Sequence, residues 1–302
     1  MKSLVLALTV STAMVLPAFA QDGIKEFNIG VMGGENAQDR MTANACLQKY
    51  AEEALGVPVK LFTPADYDGV IQGLLGGTLD AASLGASSYA KIYLTDPEAV
   101  DPVLVKANLD GSTTYHSIGF ARTYSGITSL ADMKGKSFGF GDPNSTSGYL
   151  IPLVEIPAEG YSMKPGEYFG EIKFTGGHEQ TIIAVQNGDV AAGVTWADAQ
   201  GDWADGYNSG ALRKAADAGI VDMNQIVEIW KSKPIPEGPF VVRKALPDDV
   251  KTKFTALLAE LGEKDKECLY GVASGETAGF KPVTHEAYNT IIDVRKAELA
   301  AQ

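Results

Sequence analysis

The sequence predicts an α/β protein built as two lobes, and three observations lead there. Strand-like and helix-like segments alternate along most of the chain, the pattern of strand–helix units laid on a largely parallel sheet. The 33 glycines follow no Gly-X-Y period, so they suit the tight turns between such units and exclude a collagen-like fibre. At 302 residues the chain is too long for one open sheet of this strand density. Two lobes, each with a mostly parallel sheet, are expected instead.

The elements follow in order. Lys2, the apolar run Leu4–Leu16 and the Pro17-Ala18-Phe19-Ala20 site form an export leader cut after Ala20. That run is shorter than the roughly 20 residues that cross a bilayer, so an exported soluble protein is expected. Phe27–Met32 reads as a strand, Ala37–Gly56 as a helix, Val57–Phe62 as a strand, and Asp66 can cap a helix through Leu75. Ala81–Leu84, Val103–Ala107 and His116–Ala121 are further strands, with a helix over Ser87–Leu94. In the second half, Ser137–Phe140, Ile172–Phe174 and Val190–Thr195 read as strands. Helices are expected from Ser147, over His178–Gln186, Trp196–Ala204 and Ser209–Ala218. Strands over Ile226–Trp230 and Phe240–Val242 precede a mostly helical segment from Pro247. Residues 21–115 are therefore assigned to lobe one, 116–230 to lobe two, and 231–302 to a return into lobe one with the C-terminal helices.

Charge narrows the partners. With 25 Lys+Arg against 38 Asp+Glu the net charge is −13, which argues against a nucleic-acid partner, because phosphate backbones need clustered basic residues. Cys46 and Cys268 are either bridged or two buried thiols. A sequence gives no Cα distance, and the unpaired form is the one preferred. Two cysteines with no histidine cluster do not make a metal site, and no cofactor is expected.

The most informative stretch is Gly139-Phe140-Gly141-Asp142-Pro143-Asn144-Ser145-Thr146-Ser147-Gly148-Tyr149. A strand runs into a turn of Gly, Asp, Pro and Asn, and three hydroxyl residues then open a helix. Their hydroxyls donate outward while first-turn N–H groups and the helix dipole favour an anion, so a tetrahedral oxyanion suits the site. One hydroxyl would suffice for an ordinary N-cap; three in succession point further. The Gly-x-x-x-x-Gly-Lys-Ser/Thr pattern of a P-loop is absent. His178 opens a helix after two glycines, and Tyr67 opens another; each can donate to the same anion.

Asp66-Tyr67-Asp68-Gly69-Val70-Ile71-Gln72-Gly73, the Asp142-Pro143-Asn144-Ser145-Thr146-Ser147-Gly148 run and Gly177-His178-Glu179 closely resemble the phosphonate-binding proteins of ABC importers, the PhnD-like family. Ile229-Trp230-Lys231-Ser232, Pro234-Ile235-Pro236 and Val242-Arg243-Lys244 extend the likeness in the same order over most of the chain. The resemblance implies a two-lobed type II periplasmic binding protein that closes on a small phosphorus oxyanion and delivers it to an inner-membrane permease. It implies a periplasmic monomer that is not an enzyme. Ser145, Thr146, Ser147 and His178 match the residues that grip the phosphonate oxygens from lobe two, and Tyr67 the tyrosine that reaches them from lobe one.

The chain departs from the pattern at one point. Relatives that bind 2-aminoethylphosphonate hold its ammonium with carboxylates, and those positions fall here on Trp196 and Gly238, with Asp198 and Glu237 close by. Trp196 is therefore expected to face an apolar substituent, which favours methylphosphonate, a similar alkylphosphonate or phosphite. Alternatives are 2-aminoethylphosphonate, phosphate, sulfate or a sulfonate in the same fold, a sensor module, or an exported phosphoester hydrolase using Ser145 or Ser147 as nucleophile.

Overall fold

The computed structural model describes residues 23–301 apart from residue 165. The expected leader over residues 1–20 lies outside the described residues. The strands in chain order are β1 (Phe27–Gly30), β2 (Val59–Phe62), β3 (Ala81–Ser83), β4 (Val100–Ala107), β5 (Thr114–Arg122) and β6 (Ser137–Phe140). They continue with β7 (Glu171–Phe174), β8 (Ala192–Ala197), β9 (Ile226–Lys231), β10 (Ile235–Pro236), β11 (Pro239–Arg243) and β12 (Gly279–Pro282). Helices α1 (Ala37–Leu55), α2 (Tyr67–Leu75), α3 (Ala86–Thr95), α4 (Ile151–Ala158) and α5 (His178–Asn187) alternate with them. Later come α6 (Ala211–Asp217), α7 (Asp248–Lys264), α8 (Lys266–Ala273) and α9 (Asn289–Ala300).

These form two sheets. The first runs β12-β4-β11-β3-β1-β2, and the second β10-β5-β8-β6-β7 with β9 also paired to β5. The chain leaves the first sheet after β4 and returns at β11. The two crossings touch, since the Glu237 N–H donates to the Thr113 carbonyl at 2.9 Å.

The sheets are mixed rather than mostly parallel. Parallel pairing is confined to β2–β1–β3 and to β8–β6–β7, where a helix returns the chain between neighbours. β11 arrives from β10 across two residues and lies antiparallel to both β3 and β4. β5 likewise pairs antiparallel with β8, β9 and β10. A strand that enters without a crossover helix has no geometry available for parallel pairing, and the sequence does not reveal which strands are entered that way.

Each sheet is covered by apolar packing. On the first, Phe27, Leu47, Phe254 and Leu258 form one buried cluster with α1, α7 and α8, and Ile71, Tyr89, Val241 and Tyr288 form another with α2, α3 and α9. On the second, Ile118, Ile182 and Leu212 pack beneath α5 and α6, while Phe138, Phe140, Ile156 and Phe169 pack on the α4 side.

Two further expectations are corrected. Cys46 on α1 and Cys268 on α8 are disulfide-bonded, with Cα atoms 5.8 Å apart across a sequence separation of 222. Packing of α1 against α8 brings them together, which no local signal encodes. Trp196 does not begin a helix: it belongs to β8, paired with Ser117 of β5. The ladder carries the strand through Ala197, and the next helical turn is the short 3₁₀ segment Trp203–Asp205.

Candidate functional site

Four helices begin at one place. α2 and α3 follow β2 and β3 of the first sheet; α5 and the π turn Thr146–Leu150 that runs into α4 follow β7 and β6 of the second. Their first residues or N-caps, Tyr67, Gly85, Thr146 and His178, line a single cavity of about 200 Å³ between the sheets. Unpaired N–H groups and the positive ends of helix dipoles gather at such starts, and in open α/β sheets the crevice beyond the carboxyl ends of the strands is the usual place for a ligand. All six residues singled out from the sequence, Tyr67, Ser145, Thr146, Ser147, His178 and Trp196, line this cavity.

The hydroxyl loop is anchored through backbone N–H groups. The Ser145 side chain accepts the Gly148 N–H at 3.0 Å, as an N-cap does, and Thr146 Oγ1 accepts the Ser87 N–H of α3 at 2.9 Å. An oxygen that accepts a backbone N–H can still donate its own proton, to a neighbour such as His178 or to a ligand. The Ser147 carbonyl is fixed by the Ser117 hydroxyl at 2.6 Å. Behind the loop, Asp142 accepts the Asn144 N–H at 2.6 Å and the Tyr67 N–H at 3.3 Å, tying it to α2.

His178 is buried, with Nε2 3.3 Å from Ser145 Oγ and Nδ1 3.3 Å from Thr195 Oγ1. Burial pushes its pKa down to about 4, so it is neutral near pH 7 and offers one N–H donor. Burial, reinforced by the charges of Asp142 and Glu35, raises the Tyr67 pKa well above its ordinary value, and a hydrogen bond with Ser145 tempers the rise. The phenol therefore stays protonated and can donate.

Sequence reasoning missed Tyr115 and Lys106 in the wall, and named Glu237 only as an acid close to Gly238. Tyr115 on β5 lies against the Ser147 and Thr146 hydroxyls, and burial raises its pKa too, making it a fifth hydroxyl donor. A tyrosine between Thr114 and His116, just before the expected strand, gave no hint of this. Lys106 on β4 and Glu237 form a buried ion pair at 2.7 Å in the cavity wall. A lysine inside the apolar run Val103-Leu104-Val105-Lys106-Ala107 was the available signal, because a charge in a buried strand needs a partner. Glu35, the other carboxylate lining the cavity, is paired with Lys214 of α6. Arg40 donates to the carbonyls of Val31 and Met32 at 3.0 and 2.6 Å, which holds the turn after β1.

Trp196 stands edge-on to Tyr115, with centroids 5.7 Å apart. Gly238 also lines the cavity, but a Cβ there would sit 1.8 Å from the Leu84 carbonyl, so no side chain fits. Its neighbour Glu237 is the residue that presents a carboxylate, whereas Asp198 accepts the Gln200 N–H at 3.2 Å in the turn after β8.

Comparison with known proteins agrees with this geometry. Residues 29–288 match the family described as ABC transporter, phosphonate, periplasmic substrate-binding protein. The phosphonates-binding periplasmic protein of Escherichia coli is 28% identical over 301 residues, covering 95% of this chain and 80% of its own. The phosphate-import protein PhnD of Mycolicibacterium smegmatis is 28% identical over 239 residues, covering 77% and 70% respectively. Among solved structures, PhnD1 of Prochlorococcus marinus in complex with methylphosphonate superposes with a TM-score of 0.77 at 19% identity, over 91% of this chain and 98% of that one, a likeness of fold. Two sheets joined by a double crossing, a cavity of helix N-termini between them and a family match over most of its length together establish that this chain belongs to the periplasmic phosphonate substrate-binding proteins of ABC transporters.

Proposed function

We propose that the protein captures a small phosphorus oxyanion, methylphosphonate, a similar alkylphosphonate or phosphite, and hands it to the permease of an ABC importer without chemical change. The observation that carries this reading is the convergence of Tyr67, Tyr115, Ser145, Thr146, Ser147 and neutral His178 with four helix N-termini on one small cavity. Neutral donors suit reversible capture, because no unpaired cation must be desolvated on closing and left bare on release. Trp196, the side-chain-free Gly238 and the mutually paired Lys106 and Glu237 leave a region of no net charge for a methyl group or hydrogen.

Residues 21–115 and 231–302 make one lobe and residues 116–230 the other in this reading, and the sheet order supports the division, with β9 and β10 carrying the second sheet a few residues further. Ligand binding is a hinge closure about the touching crossings. Calorimetry with methylphosphonate, ethylphosphonate, phosphite, phosphate, sulfate and 2-aminoethylphosphonate at one pH tests the reading. It predicts tightest binding among the first three; tighter binding of sulfate or of the amino compound would overturn it.

The contact between Ser145 and His178 favours one second reading, a hydrolase with a Ser–His pair. Two features oppose it. A histidine with a pKa near 4 is a weak base at neutral pH, and Thr195 stands where an orienting carboxylate would be needed. Turnover of a chromogenic phosphate ester, abolished by Ser145→Ala, would establish the hydrolase instead.

A further inference from the structure

The cavity wall also carries a full charge of each sign. Lys106 Nζ lies 2.7 Å from Glu237 Oε1, and the two side chains are only 7% and 10% exposed. The same ammonium is 3.2 Å from Ser209 Oγ and 4.9 Å from the centroid of the Trp196 ring. Lys106 comes from the first sheet, Trp196 and Ser209 from the second-sheet side, and Glu237 from the crossing between them. One side chain thus occupies both features that would otherwise attract a cationic ligand group, the carboxylate and the aromatic face. The other carboxylate of the wall, Glu35, is held by Lys214.

We infer that Lys106 is a specificity-determining residue that excludes ammonium-bearing ligands by neutralising Glu237 and covering Trp196. An incoming ammonium would meet a like charge, find both carboxylates paired, and lose its water without a counter-ion. An uncharged substituent meets none of these obstacles. The inference rests on reading the cavity as a phosphorus-oxyanion site, and it adds the residue that sets the charge of the fourth substituent.

The test uses two phosphonates matched in size, ethylphosphonate and aminomethylphosphonate, titrated at one pH by calorimetry. In the wild type the ethyl compound should bind at least tenfold more tightly; equal affinities overturn the inference. In Lys106→Met the preference should move at least tenfold toward the amino compound, because Glu237 and the Trp196 face are released. In Lys106→Met combined with Glu237→Gln most of that gain should be lost, leaving only what the Trp196 face supplies. A preference unmoved by Lys106→Met sinks the role of Lys106 while leaving the oxyanion reading intact. Failure of the wild type to bind methylphosphonate, ethylphosphonate or phosphite sinks both. The wild-type ratio needs no variant, so equal affinities overturn the inference even where Lys106→Met does not fold.

Discussion

The two ends of the cavity solve the burial of polar groups in opposite ways. The hydroxyl loop Ser145–Ser147, with Tyr67, Tyr115 and His178, is polar but carries no net charge, and its oxygens are anchored by backbone N–H groups such as those of Gly148 and Ser87. The Lys106–Glu237 end carries full charges that cancel each other at 2.7 Å. Uncharged donors can be emptied and refilled at modest cost, since a lost neutral hydrogen bond is worth about 1 kcal/mol. A buried ion pair tolerates no such freedom, because either partner alone is strongly destabilising. In the proposed reading the first end exchanges a ligand, and the second stays constant while the ligand comes and goes.

The largest expected effect breaks the first end. Ser145→Ala combined with Thr146→Val removes two hydrogen bonds to a charged ligand, each worth about 1.5–3 kcal/mol. Affinity for methylphosphonate or phosphite should fall roughly 100-fold or more by calorimetry. The unliganded protein should lose about 2–4 kcal/mol, from the Ser145 cap and from the buried Ser87 N–H left without its Thr146 acceptor. Unchanged affinity would reduce the loop to an ordinary helix cap.

Glu237→Ala should show the reverse pattern. It leaves the Lys106 ammonium buried with no counter-ion, and denaturant unfolding should report a loss of about 3–5 kcal/mol without ligand present. A loss below about 1 kcal/mol would mean that the second end is solvated and that the contrast between the ends is false.

His178 sharpens the comparison through pH. Its folded pKa is pushed down to about 4 from an ordinary 6.5, so the unfolded chain takes up a proton first as pH falls. The stability it contributes is complete above about pH 6.5 and is lost progressively toward pH 4, by up to roughly 3 kcal/mol. Chemical unfolding of wild type and His178→Asn across pH 4–7.5 should show a steeper decline in the wild type. Parallel curves would place the imidazole in water.

The smallest effect concerns the closing of the lobes. Lys214 and Glu35 pair across the cleft with side chains 35% and 19% exposed, so Lys214→Ala should weaken ligand binding by less than about fivefold. Small-angle scattering should still give a smaller radius of gyration with saturating ligand for both proteins. A tenfold loss would show that this pair adds more to closure than a partly exposed ion pair does.

What was legible from the chain was local. The strand–Gly turn–hydroxyl run at Gly139–Ser147, the helix starts at Tyr67 and His178 and the alternation of elements each depend on a few neighbouring residues, and short-range turn and capping chemistry specifies them. Trp196 shows where local reading fails. Its flanks suited a helix, yet pairing with Ser117 keeps it in a strand. Ladder partners distant in sequence override weak propensity.

By itself the sequence determined the α/β class and the two-lobed organisation expected of its family, and it singled out Ser145, Thr146, Ser147, His178 and Tyr67, which line one cavity. Only the tertiary structure decided that both sheets are mixed, that Cys46 meets Cys268, that Tyr115 joins the donors, and that Glu237 is neutralised by Lys106. The division has a physical reason. Caps, turns and helix starts are fixed by bonds within a few residues, whereas disulfides, buried ion pairs and strand order are set by which faces pack together. Such packing is a property of the whole fold, and no stretch of this chain contains it.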